Sequence, residues 1–247
     1  MIKENIRKRL QEINNTLSLS SSDGYGYGDV RLIAVSKTFP TEYILAAYEL
    51  GVRDFGESRV QELQQKSNYL IDRGITDINW HFIGHIQSNK LKTLLQIPYL
   101  KYIHSIDSLQ LLNKLIDFRN IFSKNELLYF LQVNTSFENE KSGFTDYSQL
   151  LSASKLAASA AASESESTSA LKWIGLMTMG PIRTDNFDLD TQKSFNLLLD
   201  YKHRLENDLQ TPSLNLKLSM GMSQDYQLAL KYQTNFVRIG SYLFGER

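Results

Sequence analysis

Eight short apolar runs, each followed or preceded by a stretch of helical periodicity, constrain this chain more than any other feature. The runs are Arg31 to Val35, Arg53 to Phe55, Asn79 to Ile83, Tyr102 to Ser105, Leu127 to Val133, Leu171 to Met177, Leu216 to Met220 and Phe236 to Ile239. Each has strand length and stops at Gly, Ser or a charged residue. Between them lie mixed polar and apolar segments: Thr41 to Leu50, with Thr41 as the expected N-cap, then Arg59 to Asp72, Ser88 to Leu95, Ser108 to Phe122, Tyr147 to about Ala162, Thr191 to Leu209 and Ser223 to Tyr232. An opening helix carries Ile2, Ile6, Leu10, Ile13 and Leu17 on one face. Strand and helix in alternation predict a parallel sheet with right-handed crossovers, and eight such units predict a closed α/β barrel of the (β/α)8 or TIM type. The 247 residues suffice for one such domain, 1–247. The chain stops at Arg247, soon after the eighth run, so no helix is expected after it and the opening helix is expected to fill the vacant place. An open doubly wound sheet is disfavoured because Ser36-Lys37-Thr38-Phe39-Pro40, after the first strand, contains no Gly.

Charge and residue usage remove several functions. Lys plus Arg and Asp plus Glu both number 27, which leaves no overall field for nucleic acid or an acidic membrane. Without Cys there is no disulfide, thiolate zinc site or thiol catalysis. No apolar stretch approaches the roughly 20 residues that span a bilayer. A cytoplasmic protein is expected, with monomer as the default because no heptad stands out. Ser152 to Ala170 is nearly all Ala, Ser and Glu, with no large apolar residue between Leu156 and Leu171. It is expected to be a mobile connection with little to anchor in a core.

The chemistry starts at Lys37. The apolar strand before it places the side chain at the C-terminal rim, where barrel sites lie. Partial burial there draws an amine toward the neutral form that attacks an aldehyde. In Phe236-Val237-Arg238-Ile239-Gly240, alternation sends Arg238 to the face opposite Val237 and Ile239. If those two face the helices, Arg238 points into the barrel and needs an acceptor: an acidic partner, a heteroaromatic nitrogen or a phosphate. The segments Ser219 to Ser223 and Gly240-Ser241 supply small residues after the seventh and eighth strands, with Ser223 as an expected N-cap. Loops at these places commonly hold phosphate, and a closed barrel makes them neighbours of Lys37. The histidines offer no metal site, since His81 and His85 fall on a strand and its exit rather than on one helix face. His81 is expected to pack near the rim. Glu57 and Glu62 are expected to favour a helix dipole, and Tyr25 and Tyr27 to lie at the surface.

The motifs Ala34-Val35-Ser36-Lys37, Phe55-Gly56-Glu57-x-x-Val60-Gln61-Glu62, Trp80-His81-Phe82-Ile83-Gly84-x-x-Gln87-x-Asn89-Lys90, Lys141-Ser142-Gly143, Gly175-Leu176-Met177-Thr178, Leu218-Ser219-Met220-Gly221-Met222-Ser223 and Arg238-Ile239-Gly240-x-x-x-Phe244-Gly245 resemble the YggS/PROSC family of pyridoxal-phosphate homeostasis proteins. The resemblance implies the barrel of the alanine racemase N-terminal domain and binding of pyridoxal 5'-phosphate (PLP). It matches Lys37 to the family lysine that forms a Schiff base with PLP, Arg238 to the arginine facing the pyridine nitrogen, and Ser219, Gly240 and Ser241 to phosphate-binding positions. Many members have Asn in place of Ser58, which puts any cofactor contact by Ser58 in doubt, and Thr in place of Ser241, which keeps the hydroxyl.

A guanidinium facing the ring disfavours its protonation and makes it a poorer electron sink. With the sequence stopping at Arg247, no second domain such as the one from which a racemase draws its second base is expected. A PLP carrier, buffer or regulator is therefore expected rather than an enzyme, with apo-forms of PLP-dependent enzymes as candidate partners. A racemase or transaminase of low activity is the nearest alternative, and a class I Schiff-base aldolase a more distant one.

Overall fold

A computed structural model describes residues 1–22, 30–119, 121, 126–162, 171–210 and 214–246. Its strands are β1 (Arg31–Val35), β2 (Asp54–Glu57), β3 (Asn79–Phe82), β4 (Leu100–Ile106), β5 (Leu127–Gln132), β6 (Leu171–Met177), β7 (Lys217–Met222) and β8 (Phe236–Ile239). All neighbouring pairs are parallel and β8 returns to β1, which closes an eight-stranded barrel. The helices are α1 (Ile2–Ser22), α2 (Thr41–Glu49), α3 (Val60–Ile71), α4 (Leu91–Leu95), α5 (Leu109–Asp117), α6 (Tyr147–Ala162), α7 (Phe187–Asp208), α8 (Tyr226–Leu230) and α9 (Ser241–Phe244).

Two-residue alternation sorts each strand between two cores. Outward-facing Phe55, Trp80, Phe82, Leu131, Val237 and Ile239 join the helices in one continuous apolar layer. Ile33, Tyr102, Phe130, Met177 and Phe236 form a smaller cluster inside the barrel. The opening helix packs beside α2, α8 and α9, closing the ring as expected. The absence of a helix after the last strand does not hold: the short α9 follows β8 directly. Leu243 and Phe244 are buried, so four residues are enough to cap the barrel against α1.

Several boundaries move for local reasons. Thr41 is the first residue of α2 rather than its cap, because Pro40 takes the preceding position and needs no N–H there. The eighth helical segment starts at Tyr226, with Asp225 rather than Ser223 at the N-cap position. β7 runs on through Gly221 to Met222 instead of ending at Met220, with a register shift against β8 between Ser219 and Met222. Gly221 permits this with φ at 96°, and an added Cβ would lie 2.7 Å from the Ala229 Cβ.

Within the Ala/Ser/Glu segment, residues as far as Ala162 continue α6, and Ala153, Ser154 and Ala157 are buried. This part does enter the core, because small side chains let the helix lie close to its neighbours. Residues 163–170 lie outside the described residues, as do Tyr25 and Tyr27. Among the described residues no helix is long and apolar enough to cross a membrane.

Candidate functional site

At the C-terminal ends of β1, β7 and β8 a cleft of about 300 Å³ opens, lined in part by Lys37, Met222, Ser223, Arg238, Gly240 and Ser241. The structure thus brings together four of the five residues expected there: Lys37, Arg238, Gly240 and Ser241. Lys37 is half-buried in the turn after β1. Arg238 is buried and points inward, as the alternation of β8 requires once Val237 and Ile239 face the helices.

Ser219 departs from expectation. It lies within β7, wholly buried below the cleft, and its oxygen accepts from Arg238 Nη1 at 2.7 Å. Because β7 extends to Met222, the serine of this segment that reaches the cleft is Ser223. Its Oγ accepts hydrogen bonds from the backbone N–H groups of Gly240 (3.2 Å) and Tyr242 (3.3 Å). An added Cβ at Gly240 would come within 3.2 Å of the Val35 carbonyl, so the close approach of β8 to β1 at this level favours glycine. Ser58 is half-buried and is not on the cleft wall.

Arg238 donates from Nη2 to the Thr178 carbonyl at 2.7 Å. Both partners are neutral oxygens, so the ion-pair alternative does not describe its contacts. Burial pulls its pKa down to about 10, with the attraction of nearby Asp225 opposing that. Asp225 itself is pushed above the usual carboxylate range by burial, against the pull of the Met222 N–H and Arg238.

Behind Lys37, on the helix side of the sheet, sits a polar cluster that local sequence did not reveal. Lys66 Nζ donates to the Ser36 carbonyl (2.8 Å), Glu57 (2.8 Å) and Glu62 (2.7 Å). Ser36 donates its hydroxyl to Glu57 at 2.7 Å, and the Thr38 N–H donates to Glu62 at 2.6 Å. Thr38 has φ at 66°, a strained value for a β-branched residue, so these bonds hold the turn that presents Lys37. The two glutamates therefore do more than favour a helix dipole. Burial raises the Glu57 pKa in spite of Lys66.

Lys141 joins two rim loops. Its side chain pairs with Glu138 and donates to the Gly180 carbonyl at 2.6 Å, while Glu138 accepts from the Arg183 N–H at 3.1 Å. Burial opposes ionisation of Glu138, but bonds from Lys141, Ser136 and the two backbone N–H groups of Arg183 and Ile182 outweigh it and hold its pKa at about 2.

His81 is deeper than the rim position expected of it, enclosed in the barrel beside His104. His85 is exposed and pairs with Asp107, so the two histidines four residues apart do not converge. Among the described residues no group of three or more His, Cys, Asp or Glu is placed to hold a metal ion. The sequence gives no signal for His104 and Thr178, because each acquires its role through a partner distant in sequence, whereas Ser223 lies in the small-residue segment expected to hold phosphate but is not the helix N-cap expected there.

The fold and site define a class: a closed parallel barrel with a lysine after its first strand, an arginine on its last and a small-residue turn beside them. The alanine racemase N-terminal domain family matches residues 5–247. The pyridoxal phosphate homeostasis protein of Bos taurus is 37% identical over 219 residues, covering 88% of this chain and 77% of that protein. The protein of the same name from Synechocystis is 37% identical over 222 residues, covering 88% of this chain and 92% of its own. Among solved structures, PipY of Synechococcus elongatus without PLP superposes with a TM-score of 0.80 at 32% identity, over 97% of this chain and 100% of that one. Its PLP-bound form gives 0.77 at 31% identity with the same coverage. The chain belongs to the alanine racemase N-terminal domain family and, within it, to the pyridoxal phosphate homeostasis proteins.

Proposed function

We propose that this protein binds PLP in the cleft between β1 and β8 and serves PLP homeostasis as a carrier, buffer or regulator. The observation that carries the reading is the convergence of Lys37, Arg238, Ser223, Gly240 and Ser241 on one cleft. That donor set fits the cofactor. Two backbone N–H groups already aim at a single oxygen, the Ser223 hydroxyl, and so mark a position suited to an anionic oxygen. The PLP-bound structure of PipY, similar over 97% of this chain, supports the same ligand.

When bound, PLP supplies an aldehyde open to attack by an amine. Lys37 is the amine on the cleft wall, and the bonds from Lys66 and Glu62 to its flanking backbone orient it. Ser223, Gly240 and Ser241 would hold the phosphate, and Arg238 would face the ring. A guanidinium only donates hydrogen bonds, so it would keep a ring nitrogen unprotonated. Ser219, expected among the phosphate ligands, instead serves to orient Arg238. A site that leaves the ring unprotonated favours holding the cofactor over using it for carbanion chemistry. Relatives named for homeostasis rather than for a reaction agree with this. Apo-forms of PLP-dependent enzymes are the fitting recipients.

The test is the visible absorption spectrum of purified protein, followed by borohydride reduction and peptide mapping of wild type beside Lys37→Ala. A yellow wild type with a reduced pyridoxyl label on Lys37, absent in the variant, is expected. A colourless protein that takes up no added PLP would overturn the reading and bring the Schiff-base aldolase forward.

A further inference from the structure

Five side chains cross the barrel interior in an unbroken series of hydrogen bonds. Arg238 Nη1 donates to Ser219 Oγ at 2.7 Å, and Ser219 Oγ lies 2.9 Å from His104 Nδ1. His104 Nε2 lies 3.0 Å from His81 Nδ1, and His81 Nε2 lies 2.9 Å from Asp54 Oδ1. Ser219, His81 and His104 are wholly buried and Arg238 nearly so. Asp54 stands at the start of β2, at the end of the barrel opposite the cleft, and its side chain is 16% exposed.

Chemistry allows the neutral chain one polarity. Asp54 Oδ1 also accepts from Asn79 Nδ2 at 3.3 Å and faces Arg31 Nη1 at 3.5 Å, so it stands among donors as a carboxylate. His81 must then carry its proton on Nε2, which leaves Nδ1 as an acceptor. His104 must donate to it from Nε2, which leaves its own Nδ1 to accept from Ser219. The serine oxygen is thereby free to accept the hydrogen bond that Arg238 Nη1 donates. The opposite polarity would set the His81 Nε2 lone pair against the Asp54 lone pair. Reversal is open only if His81 becomes a cation, and then the serine proton loses its acceptor. The surroundings oppose that cation. His81 stacks on Tyr102 at 4.2 Å and feels Arg31, and His104 stacks on Phe130 at 4.5 Å and feels Arg238. Burial is the largest cause that lowers both imidazole pKa values, and the Asp54 carboxylate opposes it at His81.

We infer that Asp54, His81, His104 and Ser219 are positioning residues that fix Arg238 through a directed hydrogen-bond chain, coupling the cofactor-facing guanidinium to the far end of the barrel. The inference deepens the PLP reading and rests on it only where Arg238 meets the ring. Asp54 is the anchor of the chain, although it makes none of its contacts in the cleft. Loss of its charge frees the tautomer of His81, then that of His104, and finally the orientation of the Ser219 hydroxyl.

Two-bond proton–nitrogen NMR of histidine-labelled, PLP-free protein tests the chain without reference to the cofactor. His81 and His104 are expected as neutral Nε2–H tautomers from pH 5.5 to 8. A cation or an Nδ1–H tautomer at either would overturn the chain. Asp54→Asn keeps an acceptor oxygen but removes the charge, and Ser219→Ala cuts the chain with one atom removed. Both are expected to shift the Arg238 guanidinium resonances in PLP-free protein and the absorption maximum of bound PLP, and to weaken PLP retention about tenfold, the size of one charge-assisted hydrogen bond. Arg238 resonances unmoved by Asp54→Asn, with the variant folded, would overturn the coupling. Failure of wild type to take up PLP would overturn the ligand reading alone, since the tautomer and guanidinium signals still decide the chain.

Discussion

The two faces of the same eight-stranded sheet solve different problems. Outward, Phe55, Trp80, Phe82, Val237 and Ile239 meet the helices in an apolar layer, broken near the rim where Lys66, Glu57 and Ser36 pair behind the Lys37 turn. Inward, aromatic rings enclose His81, His104, Ser219 and Arg238, which satisfy one another in series. An apolar contact tolerates exchange for another of similar volume. A buried polar chain depends on every member, because a lost partner leaves an uncompensated group. Stability should therefore respond most to the outer face, and the cofactor's spectrum most to the inner one.

The largest stability loss separates the faces. Trp80→Ala opens a cavity on the outer side and is expected to lower unfolding stability by ~3–5 kcal/mol. Denaturant titration measures it, and bound PLP should keep its absorption maximum wherever the variant is folded. A shifted maximum would mean that the faces are not separable.

Next comes the polar break in the outer layer. Lys66→Met leaves Glu57 buried without its cation, and removal of one partner of a buried pair costs ~3–5 kcal/mol, reduced here because Glu62 keeps some water. Glu57 already has a raised pKa, so its ionisation works against the fold. The deficit should thus widen as pH rises through and above the usual carboxylate range. Thermal melting from pH 4 to 8 checks the sign, and a deficit that narrows with pH would contradict the assignment. Slower PLP uptake is expected as well, since the Lys37 turn loses its hold on Ser36.

Ser219→Ala should have a smaller effect on stability, ~1–2 kcal/mol for the unpaired donor and acceptor left behind. Its shift of the PLP absorption maximum should nevertheless exceed that of Trp80→Ala, and the reverse order would break the comparison.

The most pH-dependent effect lies at the rim. Glu138 has its pKa lowered to about 2 from 4.5, so its contribution is complete above the ordinary value and fades as pH falls from there toward 2. The melting difference between wild type and Glu138→Gln should shrink over that interval and stay flat above pH 5.

Much of this molecule could be read from local pattern. Strand-length runs and helical spacing found all eight strands, and β1, β6 and β8 kept their expected ends. Lys37 and Arg238 were legible because position along one strand decides each of them: one follows its strand end, the other alternates with two apolar neighbours. Ser219 shows the limit. Its motif marked it for phosphate, but a register shift between β7 and β8 carried the strand past it and gave the rim to Ser223. The chain by itself determined that a barrel would form and which rim would carry the lysine and arginine, since both follow from the two-residue and 3.6-residue periods of hydrophobicity. Only the tertiary structure decided that Lys66 would brace the Lys37 turn and that His104 would meet Ser219 across 115 residues of sequence. Those pairings depend on barrel closure and register, which no local period encodes.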